Sequence, residues 1–163
     1  MTGVAGLAVI WLVAIVCVGG WMDLKYRRLP NWLCAIAFLS GISVVAAVIG
    51  WDGVPSGLLH AAIALGIGMG LFALGGIGAG DAKFYAALAA WFPLRDGVIL
   101  FAIVALAGIA LLIAWFTCRS PRRGADRRRS ADDPFGKLPY GIAIAAGALI
   151  TFVLTHWPML TSI

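Results

Sequence analysis

Gly78-Ala79-Gly80-Asp81-Ala82-Lys83 closes a long apolar stretch that begins near Gly57. A carboxylate at the edge of such a stretch is expensive to bury and marks a candidate functional site. The flanking glycines permit a sharp turn and let another segment approach without side-chain obstruction. The plainer reading is that Asp81 N-caps the next helix. The segment after it, from Ala82 to Phe92, is short and apolar. At about 1.5 Å per residue it covers roughly half of a ~30 Å hydrocarbon core. It is either a tilted short span or a re-entrant piece buried by its neighbours.

The rest of the chain decides between these. The sequence is 63% hydrophobic and 12% charged, far more apolar than a soluble domain. It reads as one membrane-embedded domain over residues 1–163, since no polar stretch leaves room for a separate soluble unit. Apolar runs cover about 4–22, 31–50, 57–77, 98–117 and 138–157. The first has no basic leader or cleavage pattern and reads as a retained span. In the third, Gly66 and Gly70 have the spacing that permits close helix contact.

The basic residues set the orientation. If 82–92 crosses, Lys25, Arg27, Arg28, Lys83, Lys137 and six arginines of the loop 118–137 share one side, and Arg95 stands opposite. The positive-inside rule makes the crowded side cytoplasmic. If the piece does not cross, the arginine loop and Lys25 to Arg28 fall on opposite sides. The expectation is therefore an all-α polytopic bundle of about six transmembrane segments, the fourth short. Trp21, Trp32, Trp51, Trp91, Trp115 and Trp157 fall near predicted span ends, as interfacial tryptophans do.

All seven acidic residues are aspartates. Two of them, Asp23 and Asp81, fall at the cytoplasmic boundary of this topology. Paired carboxylates share a proton, because both do not ionise cheaply at short range. The ionised one takes a proton from water, and the protonated one donates to a carbonyl oxygen and then to a leaving amine. That equipment hydrolyses a peptide bond with no metal, cofactor or covalent intermediate. Cys17, Cys34 and Cys118 form no C-x-x-C pair, and His60 and His156 lack nearby ligands, so no metal is expected. Cys17 and Cys34 read as packing residues. The plain alternative for Asp23 is an interfacial residue satisfied by Lys25 or Arg27.

Three stretches in this order resemble the type IV prepilin peptidase family. Asp23 with Arg27-Arg28-Leu29-Pro30-Asn31 is similar to its first aspartate motif. Gly78-Ala79-Gly80-Asp81-Ala82-Lys83 is similar to its G-x-G-D-x-K motif, and Lys137-Leu138-Pro139-Tyr140-Gly141 to a late segment entering the last span. The resemblance implies Asp23 and Asp81 as the catalytic pair. It implies prepilin or pseudopilin precursors as substrates, cut after a short basic leader at the cytoplasmic face of a bacterial inner membrane. Longer members carry a cysteine-bearing extension and also methylate their product. This chain resembles the compact, peptidase-only form associated with tight-adherence pili.

The supporting residues carry two readings each. Lys83 either lowers the Asp81 pKa and orients substrate or is an ordinary snorkelling lysine. Pro30 and Asn31 read as the start of the second helix. Lys25, Arg28, Gly78 and Gly80 border the aspartates, and Lys137, Pro139, Tyr140 and Gly141 either line the site or simply enter a helix. The arginine loop reads as an anchor for anionic lipid headgroups. Two other functions use the same aspartates: a presenilin-like intramembrane protease, and a proton or cation transporter without enzymatic activity.

Overall fold

The computed structural model describes residues 2–118 and 140–161. Six α-helices succeed one another: α1 (Thr2–Tyr26), α2 (Asn31–Val48), α3 (Val54–Ala73), α4 (Ala79–Ala89), α5 (Gly97–Cys118) and α6 (Tyr140–Thr161). Single 3-10 turns at Trp51–Gly53 and Leu94–Asp96 precede α3 and α5. Among the described residues there is no strand. Gly6–Tyr26, Asn31–Val48, Trp51–Ala73 and Leu94–Thr117 are long and apolar enough to cross a membrane, and Tyr140–Thr155 is a shorter apolar helix. The chain is a polytopic helical membrane bundle, as composition leads one to expect.

The helix ends are set by local chemistry. Pro30, extended at φ −72° and ψ 146°, is the N-cap of α2. Its carbonyl accepts from the Leu33 and Cys34 amides. This fits a residue with no N–H of its own to lose. Helix α3 stops at Gly75, whose φ of 76° suits a residue without Cβ. The Gly75 amide donates to the Phe72 carbonyl and the Gly76 amide to the Leu71 carbonyl, so two end carbonyls are satisfied without water.

Helix α4 sits at the centre. Ala82, Phe84, Ala86 and every residue from Ala87 to Phe92 are buried. It starts beside the start of α2, where Lys83 Nζ donates to Asn31 Oδ1 at 3.2 Å. Farther along α2, Trp91 Nε1 donates to the Ala37 carbonyl at 2.8 Å. Against α3 it runs antiparallel, with Gly68 facing Ala82 and Gly57 facing Ala90. Beyond it, the Leu94 amide donates to Ser56 Oγ at 3.0 Å. His60 Nδ1–H donates to the Phe92 carbonyl at 3.0 Å, satisfying a group that the end of α4 leaves open. The segment from Ile77 to Asp96 therefore runs from one end of α3 to the other. An eleven-residue helix alone is too short for that. Non-helical backbone at both its ends makes up the length, and enclosure by α2, α3 and α6 is what makes this tolerable at membrane depth. The short fourth segment thus joins opposite ends of the bundle while being buried like a re-entrant element.

Helix α6 packs along both α1 and α5, and Phe152 meets Trp91 and Phe92 edge-on with centroids at 6.0 and 6.1 Å. One end of the bundle gathers residues 23–31, 76–83 and 140–141. The other gathers 50–56 and 92–97.

Three expectations need correction. Gly66 and Gly70 face outward, with nothing near a built Cβ. The contact with α4 is made by Gly57, Ala61, Ala64 and Gly68 on another face of α3. Trp91 is 1% exposed and belongs to the core, because α4 ends early and folds its indole back onto α2. Cys17 is exposed on α1, whereas Cys34 is buried. Trp21, Trp32 and Trp51 are exposed as expected. Lys137, Pro139 and most of the arginine-rich loop lie outside the described residues.

Candidate active site

Asp23 lies in the last turn of α1 and is only 6% exposed. The chain leaves α1 through Arg27, whose φ of 53° is left-handed, and the Arg27 amide donates to the Asp23 carbonyl at 3.0 Å. A non-glycine residue there costs roughly 1–2 kcal/mol. The turn sends the guanidinium over the Trp115 ring at 5.6 Å and close enough for its charge to act on Asp23. The Gly141 amide, in the first turn of α6, donates to Asp23 Oδ2 at 2.9 Å, and the Ile142 amide supports the same carboxylate. Free amides of a helix N-terminus point at a negative group here.

This contact requires glycine at position 141. A Cβ built there falls 2.8 Å from Asp23 Oδ2 and 3.0 Å from Cγ. The structure thus places Gly141 both at the entry of α6 and against the Asp23 carboxylate.

Asp81 is the third residue of α4, and the N-cap is Gly78. The Gly78 amide donates back to the Asp81 carboxylate, which is one half of a capping box. The capping reading is therefore true in part, with Asp81 reaching back from inside the helix. Asp81 is half-buried and precedes the apolar stretch 82–92, outside the four long spans. Burial pushes its carboxyl up to about 6, the negative charge of Asp23 adds to the rise, and the Gly78 amide opposes it. The structure thus brings the two aspartates of the sequence analysis into one site, from α1 and α4. Gly80 lies along Leu29, seating the start of α4 on the α1–α2 turn.

The neighbouring charges do not converge. Lys25 Nζ lies over the Trp21 and Tyr26 rings at 5.7 and 5.3 Å, leaving Arg27 to face Asp23. Arg28 is exposed. Lys83 points to Asn31, because a residue two positions after Asp81 projects from nearly the opposite face of the helix. It does not lower the Asp81 pKa, which is raised. Among the described residues, no group of three or more His, Cys, Asp or Glu side chains is placed to hold a metal ion.

Sequence reasoning missed two contributors, Trp115 and Tyr85. Arg27 is already read there as a partner of Asp23, but no spacing reveals its contact with Trp115. Tyr85 is four residues after Asp81 and so shares its helix face, a signal that was present. Asp81, Ala82 and Tyr85 border an apolar groove of about 710 Å³, with Tyr140 beside them and His60 and Gly97 at its far end.

Comparison with known proteins identifies the family. The model of the type IV leader peptidase family matches residues 7–113, more than half of the chain and both aspartates. No curated protein and no solved structure matches. The chain belongs to the type IV leader peptidase family.

Proposed function

We propose that this member of the type IV leader peptidase family is an aspartyl endopeptidase. In this reading it removes the short basic leader from prepilin or pseudopilin precursors at the cytoplasmic face of the inner membrane. The observation that carries the reading is electrostatic: the charge of Asp23 acts on Asp81, and the amides of α6 hold Asp23 from behind. An N–H donor bonds best to an oxygen that bears charge. Asp23 is then the base, and Asp81 keeps the shared proton.

A water between the carboxylates gives its proton to Asp23 as its oxygen attacks the scissile carbonyl carbon. Asp81 gives its proton to the carbonyl oxygen, and a tetrahedral gem-diol forms. Asp23 next returns a proton to the amide nitrogen as the C–N bond breaks. The diol gives one of its two hydroxyl protons to Asp81 and collapses to the carboxylic acid. Each carboxyl ends in its starting state. Substrate seated against the apolar groove removes water from Asp81 and holds its proton more firmly.

The test measures cleavage per inserted molecule, by intact mass of candidate precursors co-expressed with the protein. Asp23→Asn and Asp81→Asn each lose cleavage at least ~1000-fold with near-normal insertion, since asparagine keeps the shape but exchanges no proton. The double variant is scarcely worse, because the pair acts as a unit. A well-inserted Asp81→Asn protein that keeps most of its activity sinks the dyad.

A further inference from the structure

We propose that the groove between α3 and α5 seats the apolar helix of the substrate, with the scissile bond presented at its Asp81 end. This rests on the leader-peptidase reading above.

The first argument is continuity. The face of α4 that carries Asp81 also carries Ala82 and Tyr85, and these floor the groove. A substrate segment lying in it is aligned with the candidate carboxylate pair without a further turn. Along α3 the groove runs from Leu71 back to His60, and along α5 from Val98 to Leu112. At about 1.5 Å per residue these walls are roughly 16 and 21 Å long. Eleven to fourteen residues of an apolar helix fit that length at the same rise, roughly.

The second argument is what the walls lack. Helices α3 and α5 pack on α4 and α6 rather than on each other. Helix α5 is the most apolar span, with a mean hydropathy of 2.9, yet almost none of it is buried inside the bundle. Ile67, Phe101 and Ile109 line the groove and stay exposed, so it is open along its outer side and takes one face of a helix. Ala64, Gly68, Ala105 and Gly108 keep its surface low, which lets a helix backbone come close. His60 and Gly97 close the far end.

The chemistry therefore reads a substrate whose cleaved bond lies just outside an apolar helix. The helix is held sideways, and the extended polar residues before it cross the aspartates.

Gly108 supplies the test. A Cβ built there meets nothing within 4 Å, so a phenylalanine ring enters the groove without displacing the protein. Reconstituted protein is given two synthetic peptides. One is a basic leader ending in glycine and continued by an apolar helix of about 20 residues. The other has the same leader continued by a few residues only. Gly108→Phe is expected to lose cleavage of the long peptide at least tenfold more than of the short one, mainly through a higher KM. Gly66→Phe, on the outer face of α3, is expected to match the parent on both. A Gly108→Phe protein that treats both peptides alike, whether equally impaired or equally active, overturns the groove.

A photoreactive residue at 108 in the Asp81→Asn background gives a second reading. It is expected to label the long peptide within its apolar helix, while the same residue at 66 does not. Labelling of lipid alone, or equal yields at the two positions, overturns the proposal. A parent protein that cuts neither peptide overturns the leader-peptidase reading itself, which the variant comparison leaves standing when only the groove is wrong.

Discussion

Replacing Gly141 with alanine tests whether the amide behind Asp23 matters to the chemistry. The added methyl carbon falls 2.8 Å from Oδ2, 3.0 Å from Cγ and 3.1 Å from Cβ of Asp23. All three atoms belong to one short side chain anchored in α1, so no flexible tip gives way. Restoring an ordinary contact of about 3.4 Å requires the carboxylate to move by about 0.6 Å. That movement stretches the 2.9 Å bond from the Gly141 amide. A hydrogen bond to a charged group is worth about 1.5–3 kcal/mol, and an ångström of misplacement at a reacting group costs about 100-fold. The expected loss in kcat is therefore about 15- to 150-fold, with KM little changed. Position 141 is in the first turn of α6, where alanine does not break the helix, and insertion is expected to stay near normal. The assay is single-turnover cleavage per inserted molecule, with Gly66→Ala as a control that meets open space. A well-inserted Gly141→Ala protein with a third or more of the parental kcat refutes the role given to α6.

The proton held by Asp81 gives a prediction in pH. Its carboxyl is raised to about 6, so it is protonated below that value, and the acid is lost as pH rises through it. The alkaline limb of the kcat profile belongs to the pair and lies near or above pH 6. In Asp23→Asn the negative neighbour is gone, so half-protonation of Asp81, read from its carboxyl infrared band, moves to lower pH while burial holds it above the ordinary range. An unmoved band refutes the coupling. Reporters at Asp52 and Arg95 are expected outside the cell membrane, and those at Arg28 and Asp126 inside. A cytoplasmic signal at Arg95 removes the six-segment topology.

The ends of the helices were legible in the sequence because polar and conformationally special residues punctuate it. Pro30-Asn31 starts α2 at its expected place, and α4 starts within the glycine–aspartate stretch at Ala79, three residues before the expected Ala82. The faces were not legible. A span that is apolar on all sides has no stripe to show which residues point inward. Gly57 and Gly68 therefore could not be told from Gly66 and Gly70. Trp91 misled for a related reason: tryptophan at the end of an apolar run suits an interface, but a helix that stops at Ala89 carries the indole inward. For the site, Asp23 and Asp81 were legible as rare carboxylates at segment ends. The amide of Gly141 was not, since nothing local ties it to a residue 118 positions earlier.

That separation also has a meaning in time. Both aspartates belong to helices made early, whereas the amide that holds Asp23 arrives with the last helix. At synthesis rates of about 5–20 residues per second, some 6 to 24 s pass between the two. Through that interval the first helices can enter the bilayer and pack, but Asp23 has no backing from α6. On the proposed mechanism, a chain stalled after α5 would carry both carboxylates without the amide that holds Asp23, and docking of α6 between α1 and α5 is the step that completes the site.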